Sequence, residues 1–469
     1  MSPRRIVVLG GGISGLSAAY HLAEARRAGA SVDCHLAEAS ARLGGALRTE
    51  HIEGCLVEAG GDSMLTEKSE ALELCERLGL GGQLTGSLNA GRRTWLLHGG
   101  RLVGLPEGFE LLVPTRLWAV ARTPLLSLSD KLALATEAFR SFAPPSEDES
   151  VAQFVERHFS RGLLESVVDP LLAAIYGGDV DELSAAAVLP WLTSLERQHG
   201  SLVRGARTLA RQRRRAAAPC KPLFTTLGEG MDTLVGSLRD RLAPGRVSCG
   251  QRAVELARLP GGYRVAFEGG QTEEAEAVVL ALPAYESARL LRPLDAALAA
   301  ALEEIPYSSS VIVALTYEQR RVGALPAGFG FLVPAKERRR LVACTFVNQK
   351  YPGRAPQDKI LLRCFLGGRR DQGALVLSDT ETLGIVRREL TEILGLAAEP
   401  LFARVYRWPR ALAQYTVGHA RRLTVIRQRL AEHPGLFLCG NAYQGIGIPD
   451  CIRSGREAAE GCLKQLGGQ

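Results

Sequence analysis

Along the chain the hydrophobic positions fall into three patterns. Short apolar runs ending in glycine stand near both ends, Ile6 to Leu9 in RIVVLGGGISGLSAAYHL and Leu436 to Leu438 in LFLCGNAYQGIGIPDCIRSG. Runs of this kind suit strands buried in a parallel sheet. From about 107 to 220, leucine and alanine recur at helical spacing, as in LSDKLALATEAFRSF and SVAQFVERHFSRGLLESVVDPLLAAIYGGD, which predicts a helical insertion. From 284 to 405 the pattern alternates, in SSSVIVALTY, RLVACTF and KILLRCFLGG, which predicts a mixed sheet. Between these regions FTTLGEGMDTLVGSLRDRL predicts a turn entering a helix. RVSCGQRAVELARLPGGYRVAFEG and EAEAVVLALPA predict strands, broken by a hairpin at Gly261 and Gly262. No internal repeat is visible.

The glycines carry the first chemical signal. After the run ending at Leu9 come Gly10, Gly12 and Gly15, spaced G-x-G-x-x-G, and a helix predicted from Ser14 to about Ala25. The first glycine permits a tight turn, the second lets backbone approach a pyrophosphate, and the third lets helix pack on strand. The helix then aims its N-terminal amides at that phosphate. SVDCHLAEA predicts a second strand ending in Glu38, 23 positions beyond Gly15. An acid at that distance is the acceptor a ribose diol needs, so the segment predicts dinucleotide binding. The loop from Gly440 to Gly455 is equally rich in glycine and predicts close approach to a ligand or a plain strand-to-helix turn.

Composition narrows the class. With 469 residues, 46% hydrophobic and 23% charged, the chain is globular and long enough for about three domains. No apolar run reaches the roughly 20 residues that span a bilayer, and the N-terminus runs straight into a strand; these predict a cytoplasmic protein without a signal peptide. The cysteines form no C-x-x-C pair, which argues against zinc and structural disulfides; Cys439 and Cys451, flanking the last glycine loop, read as small buried residues. The net charge is +7, and Arg204, Arg207, Arg211, Arg213, Arg214 and Arg215 crowd one stretch. No aromatic residue interleaves with them, so nucleic acid is not expected. A solvated loop is the first reading and anionic lipid the second, because FELLVPTRLWAVARTPLLSLSDKLALA mixes apolar residues, Trp118 and a few bases; that segment equally suits a buried helix pair.

NAD and FAD share the glycine fingerprint, and the next residues separate them. ASARLGGALRT puts Arg42, Gly44 and Gly45 at offsets that resemble the E-x-x-x-R-x-G-G extension of FAD-containing oxidases of the amine oxidase superfamily. IVVLGGGISGLSAAYHL, ARLGG, IYGGDVDELS, FTTLGEGMDTL, GFGFLVPAKE, RALAQYTVGH and GNAYQGIGIPDCIRSG then follow in an order that resembles the protoporphyrinogen oxidase family over almost the whole chain. Pattern and resemblance together imply an α/β protein. A discontinuous Rossmann-like FAD-binding domain would cover 1–82, 221–283 and 406–469, a mixed-sheet substrate domain 83–106 and 284–405, and a helical domain, with membrane association as one reading of it, 107–220.

The resemblance implies FAD, held by Gly10, Gly12, Ile13, Ser14, Gly15, Glu38, Ala39, Arg42, Gly44, Gly45, Gly60, Gly61, Asp62, Val254, Trp408, Gly440, Asn441, Gly447, Ile448 and Pro449, and no metal. It implies oxidation of protoporphyrinogen IX to protoporphyrin IX in repeated two-electron steps, with dioxygen reoxidising the flavin to give hydrogen peroxide. Coproporphyrinogen, which has more carboxylates, stays open as the substrate. A broad apolar macrocycle needs an apolar slot with few polar anchors, for which Phe329, Phe331, Leu332 and Phe365 are the candidates. For a propionate the candidate is Arg93. The family's arginine lies one position from the aligned slot, which holds Thr94, so either Arg92 or Arg93 compensates or the anchor is another residue. Gln414, Tyr415 and His419 are expected to act structurally near the cofactor, and no residue is demanded as catalytic acid or base. A homodimer and a membrane surface are further expectations of the resemblance. A flavin amine oxidase is a weaker reading, because those enzymes place a tyrosine after the last glycine, where Ile448 follows Gly447; a carotenoid-type desaturase is weaker still. A flavin-bound scaffold without turnover is the alternative from another class.

Overall fold

The computed structural model describes residues 3–88, 93–106, 109–110, 113–114, 117–215 and 221–467. By its contacts the chain divides into two units. One comprises Met1–Gly86, Leu223–Pro306 and Ala420–Gln469, and the other Ser87–Pro222 and Tyr307–His419.

In the first unit five parallel strands lie in the order Val247–Cys249, Val32–Glu38, Arg4–Leu9, Ala277–Leu280 and Leu436–Leu438. Ile6 to Leu9 are buried throughout, as a strand covered on both faces requires. The helix Ile13–Arg27 follows the first strand, and the last helix, Ile448–Gly467, lies against it. Ser17 Oγ donates to the Ile452 carbonyl at 2.8 Å, and a Cβ on Gly455 would come within 2.1 Å of the Ser14 oxygen. The two glycine-rich ends of the chain therefore meet backbone to backbone. Strands Ala253–Leu259, Gly262–Phe267 and Thr272–Ala275 form an antiparallel meander, and Gly261, at φ 89°, makes its first turn where the hairpin was expected.

The second unit is built on a seven-stranded sheet. Its order is Phe402–Ala413, Tyr307–Glu318, Lys359–Gly367, Leu341–Phe346, Gly330–Leu332, Thr94–His98 and Arg101–Gly104, with only Gly330–Leu332 and Thr94–His98 parallel. Alternate residues of these strands, among them Val311, Val313, Leu315, Leu362, Cys364 and Leu366, form a core with Val386 and Leu390 of the helix Asp379–Leu394. That helix starts at a capping box, in which Ser378 Oγ accepts the Glu381 amide and Glu381 accepts the Ser378 amide.

In the segment read as helical, 107–220, the described residues begin with the paired strands Phe109–Glu110 and Val113–Pro114 and then form helices, among them Leu117–Arg122, Leu128–Glu137, Val151–His158, Asp169–Tyr176, Pro190–His199 and Leu202–Arg215. Ser127 and Ser150 open two of these with capping boxes. Buried Glu137 ties three of the helices together. It meets the His158 ring at 3.0 Å and accepts Ser201 Oγ at 2.7 Å and the Leu202 and Val203 amides at 2.7 and 3.1 Å. Burial pushes its carboxyl up, but these bonds outweigh burial and hold it below its ordinary value.

The unit boundaries differ from the divisions drawn on the sequence. Helices Ala284–Leu291 and Ala296–Glu303 fall in the first unit, not with the mixed sheet. Arg289 donates to the carbonyls of Ala253 and Val254, and Arg429 pairs with Asp295 at the head of the second helix. At the other boundary, Phe402–Ala413 pairs along its length with Tyr307–Glu318, so residues 406–413 join the sheet of the second unit. The helical segment shares that unit as well.

Candidate functional site

Gly10, Gly12 and Gly15 do three separable jobs. Gly10 has φ 105°, and a Cβ there would lie 2.4 Å from the Ala281 oxygen. A Cβ on Gly15 would lie 1.9 Å from the Gly10 oxygen, so these two are glycine for steric reasons internal to the protein. Gly12 is different: a Cβ there would meet no atom of the described residues within 4 Å. It precedes the first turn of Ile13–Arg27, which has no side-chain cap. Open space in front of uncapped helix amides fits a pyrophosphate.

The acid and the second glycine pair join this turn directly. Glu38 accepts the Gly11 amide at 2.6 Å and the amide and hydroxyl of Ser40, each at 2.7 Å. Its carboxylate is thereby fixed beside the turn with lone pairs to spare for a diol. Gly44 donates to the Gly11 carbonyl at 2.8 Å, and Gly44 and Gly45 adopt φ 99° and 56°. A Cβ on Gly45 would stand 3.3 Å from Gly12 Cα, so the two glycine loops touch through backbone alone. Arg42 holds the second loop by donating to the carbonyls of Leu43, Gly45 and Leu47. Burial lowers its pKa from the ordinary arginine value.

The loop at 440–449 completes the cradle. Gly440 has φ 135° and donates to Ser454 Oγ at 3.1 Å. A Cβ on Gly61 would meet Leu47 at 3.3 Å and Ile448 at 3.4 Å, which brings the 60–62 loop, the Arg42 loop and Ile448 into contact. The Asp62 carbonyl accepts Thr226 Oγ1 at 2.7 Å. Pro449 is buried, and Ala39, Gly60 and Asn441 sit in the same three loops. Cys439 and Cys451 are buried; burial pushes the Cys451 thiol up to about 11 and the Cys439 thiol higher, which suits space-filling and not redox chemistry.

Two further expected cofactor residues lie on strands. Val254 is 44% exposed on the strand Ala253–Leu259, and Trp408 belongs to the sheet of the second unit. Sequence reading missed Asp450 and Lys68. Asp450 is 3% exposed and accepts Lys68 Nζ on both oxygens, at 2.7 and 2.6 Å, as well as Arg453 at 3.0 Å and the Gly447 amide at 3.2 Å. A Cβ on Gly445 would lie 2.3 Å from Asp450 Cγ, so the loop is wrapped tightly on this carboxylate. The one local signal was an acid just inside a helix N-terminus.

In the second unit the register separates the candidate slot residues. Phe365 pairs with Ile312 and Ala343, Ala343 with Leu332, and Ile312 with Tyr406; Trp408 follows two residues on, opposite Ser310. Directly opposed residues share a face, so Phe365, Leu332 and Trp408 lie on one side of the sheet. Phe331 does not join them. It opposes Cys344, is 1% exposed, and packs in the core beneath Asp379–Leu394, 6.1 Å from Phe346. Its expected place in the slot is corrected by strand alternation, which turns neighbouring side chains to opposite faces. Phe329 precedes the strand, its amide donating to the Arg93 carbonyl at 2.8 Å. Arg93 is exposed next to Thr94, while Arg92 lies outside the described residues. Buried Arg363 stands 5.2 Å over the Phe365 ring on the same face. Gln414 donates to the carbonyls of Tyr176 and Leu412 and to Ser308, and Tyr415 stacks on His419 at 4.1 Å.

Known proteins resemble the chain over nearly its whole length. The profile of the flavin containing amine oxidoreductases matches residues 13–463. A coproporphyrinogen III oxidase of Bacillus subtilis is 32% identical over 467 residues, covering 99% of this chain and 98% of its own. The chloroplastic protoporphyrinogen oxidase of Nicotiana tabacum is 29% identical over 97% of this chain and 84% of its own. A crystal structure from Exiguobacterium, provisionally assigned as a protoporphyrinogen oxidase, superposes with a TM-score of 0.88 at 31% identity, over 99% of both chains.

Proposed function

The chain belongs to the flavin containing amine oxidoreductase family, and from that premise we propose that this FAD-dependent oxidoreductase converts a porphyrinogen into the corresponding porphyrin in haem biosynthesis. Coproporphyrinogen III stands first as substrate. What supports it is the likeness to the Bacillus enzyme, 32% identical over 99% of this chain and 98% of its own. Protoporphyrinogen IX, put first on the sequence, is the second reading and is supported by the tobacco relative.

The chain's own residues divide the work. Gly12 and the first-turn amides would receive the pyrophosphate, Glu38 the ribose hydroxyls, and the loop braced by Asp450 would close over the far end of the cofactor. When bound, FAD supplies the hydride acceptor and passes the electrons to dioxygen, giving hydrogen peroxide. Phe365 and Leu332 would present an apolar wall to the macrocycle, with Phe329 at its rim, and Val254 would lie near the flavin. Arg93 would hold a propionate through its fork of donors. No residue is assigned as a general base, and hydride transfer rests chiefly on proximity and orientation of the substrate carbon.

The helical segment adds a second proposal, a peripheral contact with an anionic membrane. Trp118, Leu128, Leu132 and Phe139 are 79, 84, 65 and 89% exposed, and Arg122 and Arg140 stand beside them. Such a mixture suits the lipid interface. No helix among the described residues is long and apolar enough to cross a membrane. Pairing as a homodimer is proposed as well, and sedimentation would test it.

The substrate is tested by mixing the purified yellow protein anaerobically with coproporphyrinogen III. Flavin bleaching coupled to porphyrin fluorescence, reversed by oxygen and faster than with protoporphyrinogen IX, is expected. Faster bleaching with protoporphyrinogen IX would reverse the order of the two readings, and bleaching by amines alone would overturn both.

A further inference from the structure

Outside the flavin cradle, the first unit carries a second constellation that flavin chemistry does not use. His35, Ser248 and Glu273 come from three different strands, Val32–Glu38, Val247–Cys249 and Thr272–Ala275. His35 Nδ1 stands 2.7 Å from Glu273 Oε2, and its Nε2 stands 2.9 Å from Ser248 Oγ. A carboxylate can only accept, so Nδ1 donates to Glu273, and in the neutral imidazole Nε2 accepts the serine hydroxyl. Acid, imidazole and hydroxyl are thus in line in the order that activates a serine nucleophile. His35 and Glu273 are 18% and 26% exposed and Ser248 is partly exposed, so a small molecule can reach them.

The edge of the sheet supplies a further element. Val247–Cys249 is an outer strand of the five, and the Leu36 amide donates to the Arg246 carbonyl. In that parallel ladder the Ser248 amide faces the neighbouring strand and the Cys249 amide faces the open edge. The amide following the serine is therefore a donor for an oxyanion. Asp33, on the same face, is engaged by Arg26 and Arg246, so its charge is already paired.

We propose that Ser248, His35 and Glu273 form a hydrolytic site for small uncharged acyl esters, an activity separate from porphyrinogen oxidation. Ser248 Oγ bonds to the ester carbonyl carbon as its proton passes to His35 Nε2. The carbon–oxygen bond to the alcohol then breaks, and the alcohol leaves with that proton. Water, deprotonated by the same nitrogen, bonds to the acyl carbon; the bond to Ser248 Oγ then breaks, Oγ takes that proton back from His35 Nε2, and the carboxylic acid is released. Glu273 steadies the imidazolium throughout.

The test uses the flavin-loaded protein. A fluorophosphonate probe should label Ser248, located by peptide mass spectrometry, and His35→Ala should reduce labelling at least tenfold. Ser248→Ala should lower p-nitrophenyl acetate hydrolysis at least tenfold while flavin content and porphyrinogen oxidation stay within twofold. A probe that leaves Ser248 unmodified, or a Ser248→Ala protein that hydrolyses the ester at the original rate, overturns the proposal.

Discussion

Lys68 and Asp450 stand 382 residues apart, yet the lysine ammonium sits 2.7 and 2.6 Å from the two oxygens of a carboxylate that is 3% exposed. The pair joins the chain after the 60–62 loop to the head of the last helix, and Asp450 in turn holds the Gly447 amide. Charge-assisted bonds of this kind are worth about 1.5–3 kcal/mol each. Lys68→Met should lower the melting temperature and the flavin content of the purified protein. Asp450→Asn should cost more, because Arg453 loses one of its carboxylate partners too, keeping Glu70. Calorimetry with flavin absorbance measures both; two variants that melt and bind flavin like the parent would show that the loop holds without the pair.

The glycine turn yields a comparison between neighbours. Gly15→Ala drives a methyl to 1.9 Å from the Gly10 oxygen, whereas Gly12→Ala places one in open space. The apoprotein of Gly12→Ala should therefore melt like the parent but bind FAD at least about tenfold more weakly, a difference of roughly 1.4 kcal/mol. Gly15→Ala should lose stability before any cofactor is added. Equal FAD affinity in Gly12→Ala and the parent would remove the pyrophosphate from this position.

Acid stability has an identifiable contributor. Asp295 caps the helix Ala296–Glu303 through the Ala297 and Leu298 amides and meets Arg429 and His433. Burial pushes its carboxyl up, but the Leu298 amide, His433 and Arg429 outweigh that and bring it down to about 2. A depressed carboxyl stabilises fully above its unfolded value near 4 and loses that contribution as pH falls towards 2. Between pH 4 and 2 the parent should lose more melting temperature than Asp295→Asn, by about 2–4 °C for each kcal/mol involved. Parallel melting curves across that window would discard the assignment.

What could be read from sequence followed the range of the physics involved. Gly10, Gly12, Gly15 and Glu38 were legible because each glycine's task is set within a few residues and the acid's distance is fixed by one strand-helix-strand unit. The Arg42 loop was legible only through its resemblance to a family motif. Lys68 and Asp450 were not, since nothing local announces a partner 382 positions away. The unit boundary after Pro306 depends on Arg289 and Arg429 reaching other strands and helices, which composition does not record. Ser248, His35 and Glu273 are likewise brought together only by strand order. Capping boxes at Ser127, Ser150 and Ser378 lie wholly within four residues each, and such signals mark helix starts in sequence.

Phe331 and Phe365 show why an alternating pattern leaves a site half determined: periodicity says that faces alternate but not which face the substrate sees. Register places Phe331 against Cys344 in the core and Phe365 across from Ala343 on the other side. Phe331→Ala should cost about 3–5 kcal/mol of stability with the KM for the porphyrinogen nearly unchanged. Phe365→Ala, removing a half-buried ring, should cost less stability and raise KM about tenfold, roughly 1.4 kcal/mol of binding. Melting curves and steady-state kinetics on the two proteins separate the cases. If Phe331→Ala raised KM while Phe365→Ala only destabilised, the faces would be exchanged, and a one-residue slip of register is the change that exchanges them.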